Sequence, residues 1–70
     1  MTEHYIPLRS GVTTMHAVID LVEEGDTIYV CDDEIHEAVS RILPRRRKGI
    51  DMSSLRIVID PERVERMMAP

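Results

Sequence analysis

Phenylalanine and tryptophan are missing from this 70-residue sequence, and Tyr5 and Tyr29 are its only aromatic residues. Any core must therefore be aliphatic, drawn from the Ile, Val, Leu, Met and Ala that dominate its 43% hydrophobic content. The single cysteine, Cys31, excludes an intrachain disulfide. His4, His16 and His36 are scattered and give no zinc-ligand spacing. No apolar run approaches the ~20 residues needed to cross a bilayer. The opening MTEHYIPLRSG also lacks the charged-then-apolar pattern of a secretory leader. No membrane association and a cytoplasmic location are the expectation, and one unpaired thiol fits it. Nothing in the residue spacing asks for a cofactor.

These absences bear on stability. The length allows one domain, residues 1–70. A core of this size rarely contributes more than roughly 3–5 kcal/mol on its own. Small domains supplement it with disulfides, a metal or a partner subunit. With the first two unsupported, self-association into a homo-oligomer is expected, or association with a protein partner.

Charge is unevenly spread. Residues 1–40 hold nine acidic residues and one basic, a net of −8, whereas residues 41–70 hold eight basic and four acidic, a net of +4. The basic half centres on Arg45, Arg46, Arg47 and Lys48, and Lys48 is the only lysine in the chain. Such a cluster attracts nucleic acid or an acidic partner. No aromatic lies beside it to stack on bases, so nucleic acid is not the favoured partner. Opposed halves also suit pairing of two copies.

Hydrophobic periodicity alternates between two and three-to-four residues. Tyr5–Leu8 reads as a strand, with Pro7 placing it at a sheet edge. Thr14–Glu24 reads as a helix with Met15, Val18, Ile19 and Val22 on one face, ended by Gly25. Thr27–Cys31 reads as a strand. Asp32 or Asp33 caps a second helix, which carries a Glu37–Arg41 pair and is stopped by Pro44. Residues 45–54 read as a loop, and Leu55–Ile59 as the best strand in the chain. Asp60-Pro61 starts a third helix. This predicts a small two-layer α/β domain, βαβαβα, with a three-stranded, mainly parallel sheet. One sheet face is clean, with Ile28, Val30, Ile57 and Ile59; the other is mixed, with Tyr29, Cys31 and Val58. Helices are therefore expected mostly on one face, with Tyr29, Cys31 and Val58 on a surface for self-association.

The stretch RSGVTT lies where a parallel sheet presents helix N-termini to anions. Arg9, Ser10, Gly11, Thr13 and Thr14 are the candidate phosphate-binding residues. Residues 5–31, IPLRSGVTT followed by a helix and GDTIYVC, resemble the opening strand, loop, helix and second strand of P-loop NTPases, in a degenerate form. Gly11 matches the second glycine of that family's loop, and Thr13 its magnesium-binding hydroxyl. Ile6 stands at the first glycine position and Val12 at the lysine position. The resemblance implies phosphate binding, with Asp60 at the end of RIVID as the later acidic residue. The alternative is a plain turn, with Gly11 permitting it and Thr13 or Thr14 capping the helix.

Asp32, Asp33 and Asp60 also fall at strand-to-helix junctions. With Glu34 they form a candidate oxygen-ligand set for magnesium, which would suit metal-dependent phosphoryl transfer or nuclease chemistry. The same residues serve equally as helix caps. Cys31 reads as a small half-buried residue, and no Ser-His-Asp spacing is present. The sequence is thus read first as a non-catalytic interaction module, second as a nucleic-acid or nucleotide-phosphate binder through residues 45–48 and 10–14, and third as a metal-dependent enzyme.

Overall fold

A computed structural model describes residues 1–9 and 11–69. Ser10, one of the candidate anion ligands, lies outside the described residues. The elements run β1 (Glu3–Tyr5), α1 (Val12–Leu21), β2 (Thr27–Val30), α2 (Asp33–Arg46), a 3-10 turn (Met52–Ser54), β3 (Arg56–Ile59) and α3 (Pro61–Met68). The three strands form one parallel sheet in the order β1-β2-β3, so the expected α/β domain is present and β1 is an edge strand. His4, Ile28 and Ile57 share one row of the sheet, and Tyr5, Tyr29 and Val58 the next.

The order explains the layering. Both crossovers step in the same direction across the sheet. Crossovers of one hand then place α1 and α2 on the same face. Ile28 and Val30 point into that face and are fully buried with Ile6, Ile19, Val22, Val39 and Leu43. Met15, Val18, Ile35, Ile42 and Ile57 close the margin of this core. α3, which follows β3, turns back over β2 and β1 on the opposite face. Its Arg63 guanidinium lies 4.4 Å from the centre of the Tyr29 ring. Val64 is the only buried residue of α3.

Cap chemistry fixes two helix starts as expected. Asp32 Oδ1 accepts the Ile35 N–H at 2.9 Å, which settles the choice between Asp32 and Asp33. Asp60 Oδ1 accepts the Arg63 N–H at 3.1 Å, with Pro61 in the first turn of α3.

Other boundaries differ from expectation, each for a physical reason. β1 begins two residues early. Its ladder to β2 closes with Ile6 N–H donating to Tyr29 O at 3.0 Å, and the next rung, from Leu8 N–H to Cys31 O, is not formed among the described residues. α1 starts at Val12, so Thr13 and Thr14 lie within its first turn and do not cap it. Gly11 is the N-cap, in an extended conformation (φ −75°) open to any residue, so the turn does not demand glycine there. α1 ends at Leu21 rather than near Gly25. Gly25, at φ +89°, serves instead the turn closed by Asp26 N–H donating to Glu23 O.

Pro44 does not stop α2, which continues to Arg46. Bonds from Arg46 and Arg47 to α1 hold the last turn, and Arg47 N–H closes it onto Leu43 O at 2.8 Å. The segment 45–54 is accordingly the end of α2, a short link and a 3-10 turn capped by Asp51, whose Oδ1 accepts from the Ser53 N–H at 3.0 Å. Glu37 and Arg41 are not among the three ion pairs of the described residues.

Candidate functional site

Parallel strands bring all three strand ends, and the starts of α1, α2 and α3, to one edge of the sheet. Arg9, Gly11, Thr13, Thr14, Cys31, Asp32, Asp33 and Asp60 gather there by topology. The helix C-termini, and with them Arg45, Arg46, Arg47 and Lys48, lie at the opposite, amino edge. The fold therefore separates the loop around Gly11 from the basic cluster and does not make one phosphate site of them.

Two of the three carboxylates at the carboxyl edge serve as helix caps. Asp32 and Asp60 each cap a helix, and Asp33 is exposed in the first turn of α2. Among the described residues no three His, Cys, Asp or Glu side chains converge as metal ligands. The start of α1 has no side-chain cap and no acidic residue in its first turn. Arg9, Thr13 and Thr14 are exposed beside it.

Between the ends of β1 and β2 and the flank of α3 lies an open groove of about 720 Å3. Pro7 and Leu8 form one wall, and Val64, Met68 and Ala69 the other. Cys31 is at its base. Its Sγ donates to Ile6 O at 3.6 Å, and burial, aided by the neighbouring carboxylates of Asp32 and Glu65, pushes its thiol pKa up. The thiol is therefore protonated at neutral pH and is not an activated nucleophile.

At the amino edge the cations are divided. Arg46 grips Asp20 with two bonds, Nε to Oδ1 at 2.6 Å and Nη2 to Oδ2 at 2.9 Å, and holds the Asp20 pKa down. Arg47 Nη1 donates to Ile19 O at 2.8 Å, covering a carbonyl at the end of α1. Arg45 and Lys48 are exposed, and Lys48 shares its surroundings with Glu23 and Glu24. Half of the basic cluster thus holds α1 against α2. We expect Arg47→Ala to lower Tm by about 5 °C, while Lys48→Ala beside it leaves Tm within about 1 °C. A thermal melt of the two variants checks this.

Two arrangements escape sequence reasoning. Asp26, only 2% exposed, sits at the amino edge and accepts three bonds. They come from Thr2 N–H (2.9 Å), Glu23 N–H (2.9 Å) and His4 Nε2 (2.8 Å). The His4 bond first, then the two backbone bonds, lower its pKa to about 2. Its one sequence signal is an acidic turn residue just ahead of a strand. On the α3 face, Tyr5 and Tyr29 stack with ring centres 5.4 Å apart. Both hydroxyls donate to Glu3, which also receives Arg63 Nη2 at 2.9 Å. The acidic first half and basic second half therefore meet inside one chain, through Asp20–Arg46 and Glu3–Arg63.

No helix among the described residues is long and apolar enough to cross a membrane. No protein-family model, curated protein or solved structure matches this chain.

Proposed function

We propose that the protein is a non-catalytic interaction module whose first partner is a second copy of itself, joined along β3. The observation that carries this is the open edge of that strand. Arg56 N–H donates to Asp26 O and Asp60 N–H to Val30 O, so alternate peptide groups face β2. Those of Ile57 and Ile59 then point away from the sheet, as a parallel ladder requires. Val58 is 37% exposed and Ile59 44% exposed on this strand. An unpaired, apolar edge is a template for strand addition. β1 offers a poorer edge: it has three residues, one of them Glu3, and is followed by Pro7.

The strand is self-complementary in one antiparallel register. With Val58 on a two-fold axis, Ile57 of one copy faces Ile59 of the other and the pair exchange backbone hydrogen bonds. Arg56 then faces Asp60 of the second copy on the same side of the sheet, and the product is a closed dimer with a six-stranded sheet. Tyr29 and Cys31 contribute less than sequence reasoning expects, because α3 lies beside both; Val58 is the member of that trio left open. Phosphate binding through the basic cluster gains no support, since Arg46 and Arg47 are engaged.

Val58→Lys tests this reading by setting two like charges face to face at the axis. Sedimentation at micromolar concentration is expected to give twice the chain mass of 8.1 kDa for the wild type and 8.1 kDa for the variant, with unchanged helical circular dichroism. A wild type that sediments as a single chain, or a variant that still pairs, overturns it.

A further inference from the structure

The groove beside α3 goes beyond this reading, because β3 contributes no residue to its lining. Its volume falls within the range of small-molecule sites, roughly 300–1,000 Å3. Its walls are apolar: Pro7, Leu8, Val64 and Met68, with Leu8 and Met68 largely exposed to whatever enters. Exposed apolar side chains such as Leu8 and Met68 arranged around a concavity favour an apolar occupant.

The charge of the groove narrows the occupant. The charged residues that line it are Asp32 and Glu65, and no basic residue does. Asp32 uses Oδ1 to cap α2, and its Oδ2 accepts no hydrogen bond among the described residues. Glu65 is exposed and forms no ion pair among them. Asp20, Asp26 and Glu3 each hold a cation or a histidine, whereas Asp51 and Asp60, like Asp32, serve as caps. Two carboxylates flanking an apolar groove without a counter-charge form a site of one sign, and a bound cation would complete it.

We propose that this groove binds a small organic cation with an apolar body, an alkyl- or arylalkyl-ammonium. The body lies between Leu8 and Met68 over Val64, and the ammonium faces Glu65 and Asp32. Cys31 at the base is a reporter and not a reactant: it is the only cysteine in the chain, so its alkylation reads occupancy of this site alone.

The test compares two probes of one shape, 4-phenylbutylamine and 4-phenylbutyrate, at millimolar concentration. Alkylation of Cys31 by the neutral reagent iodoacetamide is followed by mass spectrometry, and amide shifts by nuclear magnetic resonance. The amine is expected to slow alkylation and to shift Leu8, Val64 and Met68, while the carboxylate does neither. Glu65→Gln, at an exposed position on α3, keeps the fold and is expected to weaken the amine about tenfold, the loss of one charged contact. Equal protection by both probes, no protection by the amine, or undiminished protection in Glu65→Gln overturns the proposal. Sedimentation of the same samples reads self-association separately, so failure at the groove leaves the β3 reading standing, and the reverse.

Discussion

Replacing Ile28 with alanine is expected to leave most of the protein unfolded at room temperature. Ile28 lies in the central strand, flanked by His4 and Ile57, and is fully buried in the one cluster that joins β2 to α1 and α2. Removing its outer carbons costs about 2–5 kcal/mol, the transfer term together with the cavity left behind. A single-core domain of this size has roughly 3–5 kcal/mol in all, so the loss is comparable to the whole. The two aromatic side chains, Tyr5 and Tyr29, stack on the α3 side of the sheet, away from the space left by Ile28. Ile28→Val removes one methylene at about 1 kcal/mol and is expected to lower Tm by about 5 °C with the fold intact. Far-ultraviolet circular dichroism against temperature separates the outcomes. A cooperative melt of Ile28→Ala within a few degrees of wild type would show that the core is not where stability resides.

The second large effect is acid sensitivity centred on Asp26. The folded carboxyl titrates at about 2, against an ordinary aspartate value of about 3.9 in an unfolded chain. A depressed folded value means that the unfolded state takes up the proton first as pH falls. The stabilisation is therefore complete above about pH 4 and is lost as pH falls from there to about 2. Asp26→Asn removes the titration and leaves a neutral amide with one acceptor oxygen facing Thr2 N–H, Glu23 N–H and His4 Nε2. At neutral pH the variant is expected to melt about 10 °C lower, because buried donors lose a charged acceptor. Between pH 4 and 2 its melting curve should fall less steeply than that of the wild type. Equal slopes would assign the acid limb to other carboxylates. Asp26 also ties the start of β1 to the turn before β2, while its backbone carbonyl accepts Arg56 N–H from β3. The amino edge of the sheet is thus organised around one residue.

How much of this could be read in advance depends on the range of the forces. The caps at Asp32 and Asp60, the strands β2 and β3 and the apolar face holding Ile19 and Val22 were legible, because capping and periodic burial act within a turn or two of the chain. Pro44 and the pair Thr13–Thr14 misled for the same reason. They are local signals, and Pro44 was overruled by the bonds of Arg46 and Arg47 to residues 26 and 28 positions away. The basic cluster looked like a free patch because its partners are distant in sequence. Asp26 and His4 are 22 residues apart, and Arg63 and Glu3 are 60 apart. The groove has the same origin: Leu8 and Met68 stand near opposite ends of the chain and come to line one groove only after α3 folds back. What the pattern did convey is the arrangement of faces, including the assignment of Val58 to the side away from α1 and α2.

The stacked tyrosines have a practical consequence. With no tryptophan or phenylalanine, every aromatic chromophore of the chain sits in the Tyr5–Tyr29 stack beneath Arg63. Intrinsic fluorescence and near-ultraviolet dichroism consequently watch the α3 side of the sheet, whereas backbone dichroism is dominated by the helices of α1 and α2. Two spectrometers looking at the same sample are in effect looking at opposite sides of the molecule, and any lag between their traces measures how firmly those sides are bound to one another.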